Sequence, residues 1–241
     1  MLDKLLQQEQ ETEKSYRMSL MAIERQHQAE REALETQINA HFLCNTLGTI
    51  NYEAIEAGNR KVSLLIKKLS NILRYTFDQK CQNVYMSQEF AWIEQYLYLQ
   101  KARFEDAFDY EIDLQEEYDM WPCCKLMLQP FVENAIIHGF KGREIGGMLK
   151  IMAKGQGEYI KIVINDNGYG IPEEREKAIQ EIIKGNDVSD DLRIGIGIRN
   201  VVARIHIFYG DSAQISLWSK EGEGTKFEFL LPYPERKEEC I

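Results

Sequence analysis

The sequence predicts an α+β protein: a long N-terminal helix and a dimerising helical hairpin, forming a four-helix bundle in the dimer, followed by an α/β sandwich with a mixed sheet. Three observations carry this. Residues 1–38 contain neither Gly nor Pro and are rich in Gln, Glu, Lys, Arg and Ala, the composition of a continuous helix. Beyond residue 108, short alternating apolar segments are interspersed with helical ones, as expected of strands and helices that share a core. Three Gly-containing motifs then mark loops at the ends of these segments.

The first helix carries Leu6, Leu20, Ile23, Leu34 and Ile38, but Glu9, Glu13 and His27 interrupt a strict heptad seam. A coiled coil and a solvated charged helix both fit this pattern. The helical pattern continues through His41 towards Glu56. Gly58-Asn59 supplies a turn, and a second helix is expected from about Lys61 to Tyr75. The stripes Ile38, Phe42, Leu47, Ile50 and Val62, Leu65, Ile66, Leu69, Leu73 are too broad for a lone hairpin to cover, so a second copy is expected to bury the remainder. A third helix is expected to start with Ser87 as its cap and Glu89 in its first turn, placing Phe90, Ile93, Leu97 and Phe104 on one side. Residues 110–114, 149–153 and 160–165 alternate like strands, and Pro130 opens a helix to about His138 at the favoured first position. A last helix, from about Ile198 to Tyr209, ends at Gly210, and strands at 214–218 and 226–231 close the fold.

At 241 residues and 44% hydrophobic, the chain can bury a sizeable core. Its net charge of -10 argues against sequence-independent binding to nucleic acid, which needs a basic stripe. The five cysteines (Cys44, Cys81, Cys123, Cys124 and Cys240) include no CxxC and no histidine at zinc spacing, so a reducing cytoplasm is expected. No apolar run reaches the roughly 20 residues needed to span a bilayer, although an anchor could precede this segment in a longer protein.

The first motif, Leu128-Gln129-Pro130-Phe131-Val132-Glu133-Asn134-Ala135-Ile136-Ile137-His138-Gly139, offers the neutral amide oxygen of Asn134 to Mg²⁺. Glu133 could bind through water or serve only the structure. In the second, Asp166-Asn167-Gly168-Tyr169-Gly170-Ile171, a carboxylate at the end of an apolar strand can accept from the exocyclic amine of adenine, where guanine offers a carbonyl. Taken alone, Asp-Asn-Gly is also a common turn. The third, Gly195-Ile196-Gly197-Ile198-Arg199-Asn200, opens a helix whose N-terminus can meet a triphosphate, and the polar stretch 172–194 is expected to act as a movable lid.

In this order the motifs resemble the N, G1 and G2 boxes of the GHKL superfamily of gyrase-type ATPases, Hsp90, histidine kinases and MutL, with Gly222-Glu223-Gly224-Thr225 as the final glycine motif. Within it, Gln37-Ile38-Asn39-Ala40-His41-Phe42-Leu43-Cys44-Asn45-Thr46-Leu47 is similar to the phosphoacceptor segment of the LytS/YesM-type sensor histidine kinases, whose usual form is QINPHFLFNTL. The resemblance covers roughly residues 34–232. It implies an ATP site made of Asn134, His138, Lys141, Asp166, Gly168, Gly170, Ile171, Arg193, Gly195, Ile196, Gly197, Ile198 and Thr225, with Mg²⁺ at Asn134 and Glu133.

The implied domains are a signalling helix or coiled coil (1–36), dimerisation and histidine phosphotransfer helices (37–85), a linker helix (86–108), a GHKL ATP-binding catalytic domain (109–234) and a tail (235–241). Implied partners are a second copy and a cognate response regulator, with no nucleic acid. The input or transmembrane sensor module is expected to lie outside this chain, which is expected in the cytoplasm with the full-length protein anchored in the bacterial inner membrane. The chain departs from the family pattern at Ala40 (usually Pro), Cys44 (commonly Phe) and Ile137 (often Lys). The last removes a cation for which Lys141, Arg193 or Arg199 could compensate.

Gyrase-type ATPases carry a water-activating glutamate one helical turn before the metal-binding asparagine; here that position is Pro130. Transfer of the γ-phosphoryl group to a protein nucleophile is therefore favoured over hydrolysis. His41 is the expected phosphoacceptor: an imidazole of ordinary pKa ~6.5 is largely neutral in cytoplasm and has a lone pair for attack. Asn45, four residues on, is expected to orient the ring, since an amide can fix its tautomer but cannot take its proton. His27 is expected to be a seam or surface residue and His206 to be structural. Two alternatives remain open from sequence: a catalytically silent ATP-binding scaffold, and an ATP hydrolase, which Pro130 disfavours.

Overall fold

A computed structural model describes residues 41–78, 83–186 and 196–234. The expected N-terminal coiled coil and the C-terminal tail lie outside the described residues. The chain divides into two units between Ile66 and Lys67.

In the first unit, α1 (residues 41–56) and the opening of α2 (Arg60–Phe77) are joined by a tight turn. Gly58 adopts φ 67 there, a left-handed conformation glycine enters without a Cβ clash. The Asn59 side chain accepts the Val62 N–H at 3.1 Å and so caps α2. Ser63 donates to Asn51 across the hairpin at 2.7 Å.

The second unit contains the end of α2, β1 (Asn83–Tyr85), α3 (Met86–Phe104), β2 (Phe108–Leu114), β3 (Pro122–Cys124), α4 (Gln129–Asn134), β4 (Gly147–Gln156), β5 (Tyr159–Asp166), α5 (Glu173–Ile183), α6 (Ile196–Tyr209), β6 (Gln214–Lys220) and β7 (Gly224–Pro232). The main sheet has the order β2-β4-β5-β7-β6; β2 and β4 are parallel and the other pairs antiparallel, so it is mixed. A two-stranded ladder pairs β1 with β3. Alternation puts Leu149, Ile151, Ile160, Ile162, Ile164, Phe227 and Phe229 on one buried face, and the helices cover that face. Phe131 of α4 packs against Phe227 and Phe229 at ring-centroid distances of 4.7 and 4.9 Å. Phe90, Ile93 and Leu97 of α3 join this same core, whereas Phe104 is exposed.

Three local expectations are corrected. Helix α3 begins at Met86 with Tyr85 as its cap, not Ser87, because the Met86 and Ser87 N–H groups are drawn onto the carbonyls of Trp121 and Asp119. The Gln88 side chain accepts the Tyr85 N–H at 2.9 Å instead. Pro130 is the second residue of α4, still within the first turn, where no N–H is required of it. The stretch expected as a lid is helical through Ile183: α5 buries Ala178, Ile179 and Ile182 and packs on β6. An apolar face of that kind fixes a helix in place, so mobility cannot be assigned to the whole stretch.

Candidate functional site

An open cleft with about 630 Å³ of empty space, part of it continuous with solvent, lies where the ends of α4, β5, α5, α6 and β7 converge. Phe131, Ile171, Ile179, Ile198 and Phe227 make its walls apolar. One carboxylate faces it: Asp166 lies at the last position of β5 and is only 6% exposed. Burial pushes its carboxyl up to about 6; the Gly168 and Thr225 backbone N–H groups and the charge of Arg143 pull the other way. The Gly168 N–H donates to Asp166 Oδ1 at 2.8 Å.

The turn after Asp166 is built by close backbone approach. A Cβ on Gly168 would lie 2.5 Å from the Gly139 carbonyl oxygen, and Gly170, at φ +72, leaves only 2.2 Å to the Lys220 carbonyl oxygen. Only glycine fits either position. Asn167 staples this turn to the sheet edge: its amide oxygen accepts the Met148 N–H at 2.7 Å and its amide nitrogen donates to the Gly146 carbonyl at 3.0 Å. The Tyr169 N–H donates to the Gly139 carbonyl at 2.9 Å, tying the second motif to the end of the first.

Helix α4 passes into a π-helical turn, Ala135–Gly139, closed by the Phe140 N–H on the Ala135 carbonyl at 3.1 Å. Such widened turns recur at functional sites because they re-aim side chains by a fraction of a turn. Asn134 and His138 line the cleft, and Gly139 abuts Asp166. Glu133 accepts a hydrogen bond from Gln129 at 2.8 Å.

Of the residues the sequence singles out, Asn134, His138, Asp166, Gly170, Ile171, Ile198 and Thr225 line the cleft. Gly168 supports it from behind, Gly197 is exposed in the first turn of α6, and Lys141 and Ile137 are exposed. Arg193, Gly195 and the Ile196 side chain lie outside the described residues. Sequence reasoning missed Arg175 and Ser219. Arg175, in the first turn of α5, brings a guanidinium to the cleft wall. Ser219, 8% exposed, accepts the Ile171 N–H at 2.8 Å and donates to the Gly224 carbonyl at 3.0 Å, locking the second motif to β7. The position of Arg175 just after Asp-Asn-Gly-Tyr-Gly-Ile-Pro was a usable signal; a serine in an alternating strand was none.

In the first unit, His41 is exposed in α1 and the Asn45 amide nitrogen lies 3.3 Å from its Nδ1. An apolar slot with one deep acceptor, one amide oxygen and a nearby cation suits a base, a metal ion and phosphates in turn, so these residues fit Mg²⁺ and ATP. Among the described residues no cluster of three or more His, Cys, Asp or Glu is placed to hold a metal ion.

Residues 29–108 match the family described as histidine kinase, and residues 124–235 the family described as histidine kinase-, DNA gyrase B-, and HSP90-like ATPase. Sensor protein kinase HptS of Staphylococcus aureus (strain USA300) is 31% identical over 199 residues, which span 83% of this chain and 37% of that protein. The chain thus spans little more than a third of the curated relatives it matches. Among solved structures, the histidine kinase domain of the Erythrobacter litoralis EL346 blue-light activated histidine kinase shares 14% identity, with 81% of this chain and 94% of that one covered and a TM-score of 0.47. The catalytic domain of histidine kinase ThkA shares 15% identity, with 64% and 97% covered and a TM-score of 0.45.

Proposed function

Because this chain belongs to the histidine kinase family, we propose that it is the kinase portion of a two-component sensor of the LytS/YesM type, which phosphorylates its own His41 from ATP and passes the group to an aspartate of a response regulator. The observation that carries this reading is the buried carboxylate of Asp166 at the floor of an apolar cleft also lined by Asn134, in a chain that separately exposes His41.

Asp166 accepts from the adenine amine, and the apolar walls enclose the ring. Asn134 supplies an oxygen to Mg²⁺, with Glu133 acting through a water. Lys141, Arg199, Gly195 and the start of α6 (Ile196, Gly197) hold the phosphates, while Arg193 and Thr225 complete the site. ATP supplies the phosphoryl group: the neutral His41 ring attacks the γ-phosphorus through the nitrogen that carries the lone pair, ADP leaves, and the Asn45 amide nitrogen, 3.3 and 3.4 Å from the two ring nitrogens, orients the ring. Pro130 offers no carboxylate to activate water; its ring instead lies 3.6 Å from where a Cβ on Gly197 would stand, so it supports the phosphate-side turn. This separates the kinase from a hydrolase.

The exposed Phe42, Ile50, Tyr52 and Ile55 on the hairpin support a homodimer that closes a four-helix bundle. The proposed domain plan places the phosphotransfer helices at 37–85, the linker helix at 86–108 and the catalytic domain at 109–234. Among the described residues, no helix is long and apolar enough to cross a membrane. We place this portion on the cytoplasmic side of the inner membrane, with an anchor and sensor elsewhere in the protein.

Incubation with Mg²⁺ and γ-labelled ATP should give an acid-labile, alkali-stable label on the parent chain and none on His41→Gln. A chain that binds ATP but stays unlabelled would instead be a nucleotide-dependent scaffold, a reading supported by Ile137, where the family often has Lys, and by the lack of an evident general base beside His41.

A further inference from the structure

Glu89 of α3 is fully buried, and it neither lines the cleft nor forms a short ion pair. Its carboxylate accepts three hydrogen bonds: the Leu128 N–H at 3.0 Å on Oε1, and the Leu126 N–H at 2.8 Å and the Tyr75 hydroxyl at 3.0 Å on Oε2. Leu126 sits at φ 58, a left-handed conformation that a leucine adopts only when its surroundings enforce it. Leu128 is the N-cap of α4 and has no side-chain acceptor of its own to offer. Glu89 therefore does from a distance what a capping side chain does locally, holding both the strained backbone and the start of the helix that ends at Asn134.

The third bond leads elsewhere. Tyr75 lies in the last turn of α2, the helix that runs through the division between the two units. Burial, then the charge of Glu89, raises its phenol far above the ordinary value, so the hydroxyl stays protonated and donates. The same loop is fastened twice more: the Lys125 ammonium donates to the Asp78 carbonyl beyond α2 and lies 4.9 Å over the Tyr75 ring, and the Lys125 carbonyl accepts from Arg204 of α6. The end of α2, the start of α4 and the body of α6 thus converge on residues 125–128, and residues of both α4 and α6 line the cleft.

We infer that Tyr75 and Glu89 are positioning residues through which the setting of α2 controls how tightly the cleft holds nucleotide. Displacement of the last turn of α2 withdraws the Tyr75 hydroxyl from the carboxylate, loosens the cap of α4 and moves Asn134. By thermodynamic reciprocity, a bound nucleotide tightens the attachment of α2. This inference rests on the reading of the cleft as an ATP site.

The test uses the whole chain. Tyr75→Phe keeps the ring and removes the hydroxyl. We expect amide exchange at Leu126 and Leu128, measured without nucleotide, to quicken about tenfold, and the Kd of a fluorescent Mg²⁺·ATP analogue to rise about fivefold. In a Glu89→Gln background the same change should alter Kd by less than about twofold, because the acceptor has already been weakened. A purely structural tyrosine would act additively in both backgrounds. Unchanged exchange at Leu126 and Leu128, or a fivefold effect that persists beside Glu89→Gln, overturns the inference. Should Glu89→Gln not fold, the exchange and Kd of Tyr75→Phe decide alone. A parent chain that binds no nucleotide removes the ATP reading itself, and the exchange data still show whether the Tyr75–Glu89 joint holds the loop.

Discussion

Residues 41–66 and the domain beyond Lys67 treat apolar surface in opposite ways. In the hairpin Phe42 is 66% exposed and Ile55 59%, and only Ala54 and Ile66 are buried among its hydrophobic residues. In the domain Ile93, Leu97, Met127, Leu149 and Phe229 are wholly buried in one continuous cluster. Among the described residues the hairpin buries little apolar surface, which fits the proposed second copy, whereas the domain buries a continuous core. Their polar chemistry divides in the same way. His41 stands in solvent, as the proposed phosphoacceptor must, whereas Asp166 is buried, as a proposed acceptor for one base edge must be.

The sharpest way to break this contrast is a pair of truncations. Leu97→Ala should cost about 2–5 kcal/mol in urea unfolding of the domain, and Ile50→Ala about 1 kcal/mol or less. Equal costs would mean that the hairpin is as fully packed as the domain.

Next in size is Asp166→Asn. The amide must turn its oxygen to the Gly168 and Thr225 N–H groups and so present a donor to the adenine amine; nucleotide affinity by calorimetry should fall about 100-fold. Stability should move the other way. The folded pKa of about 6 lies above the ordinary carboxyl value of 3.8, so ionising Asp166 opposes folding, and the cost accumulates as pH rises from about 4 to 6. Above that window the parent should be up to about 3 kcal/mol less stable than Asp166→Asn, a gap that closes towards pH 4.

Charging the exposed hairpin face with Phe42→Glu and Ile55→Glu should leave the chain monomeric by sedimentation at micromolar concentration, with nucleotide affinity changed less than about twofold. A lost cleft would show that the domain depends on the hairpin. The smallest effect is that of pH on nucleotide binding by the parent. Protonation of Asp166 between pH 7.5 and 5.5 should weaken the affinity about fourfold, and Asp166→Asn should not show that slope.

Much of the fold was legible because its signals are local. Period-two alternation at 149–153 and 160–165 marked β4 and β5, and Gly58 and Gly210 marked the turns that they occupy at positive φ. The start of α3 was not legible, because the carbonyls that fix it, on Asp119 and Trp121, lie some thirty residues away. The length of α5 was hidden by its charged face: only the partner strand β6 shows that Ala178, Ile179 and Ile182 are an inner stripe.

The sequence by itself supplied the proposed ligand chemistry, since Asp166, Asn134 and the glycines are legible as residue types in that order. It also supplied the proposed nucleophile, since the spacing of His41 and Asn45 puts them one helical turn apart, where the structure places the amide nitrogen 3.3 Å from the ring. Tertiary structure alone decided what surrounds that chemistry: Arg175 at the cleft wall, Ser219 beneath the glycine turn, and Glu89 capping a helix 39 residues away. The reason is physical. A motif is written in neighbours along the chain, whereas a buried polar group is satisfied by neighbours in space, and those exist only after the sheet and helices have closed on one another.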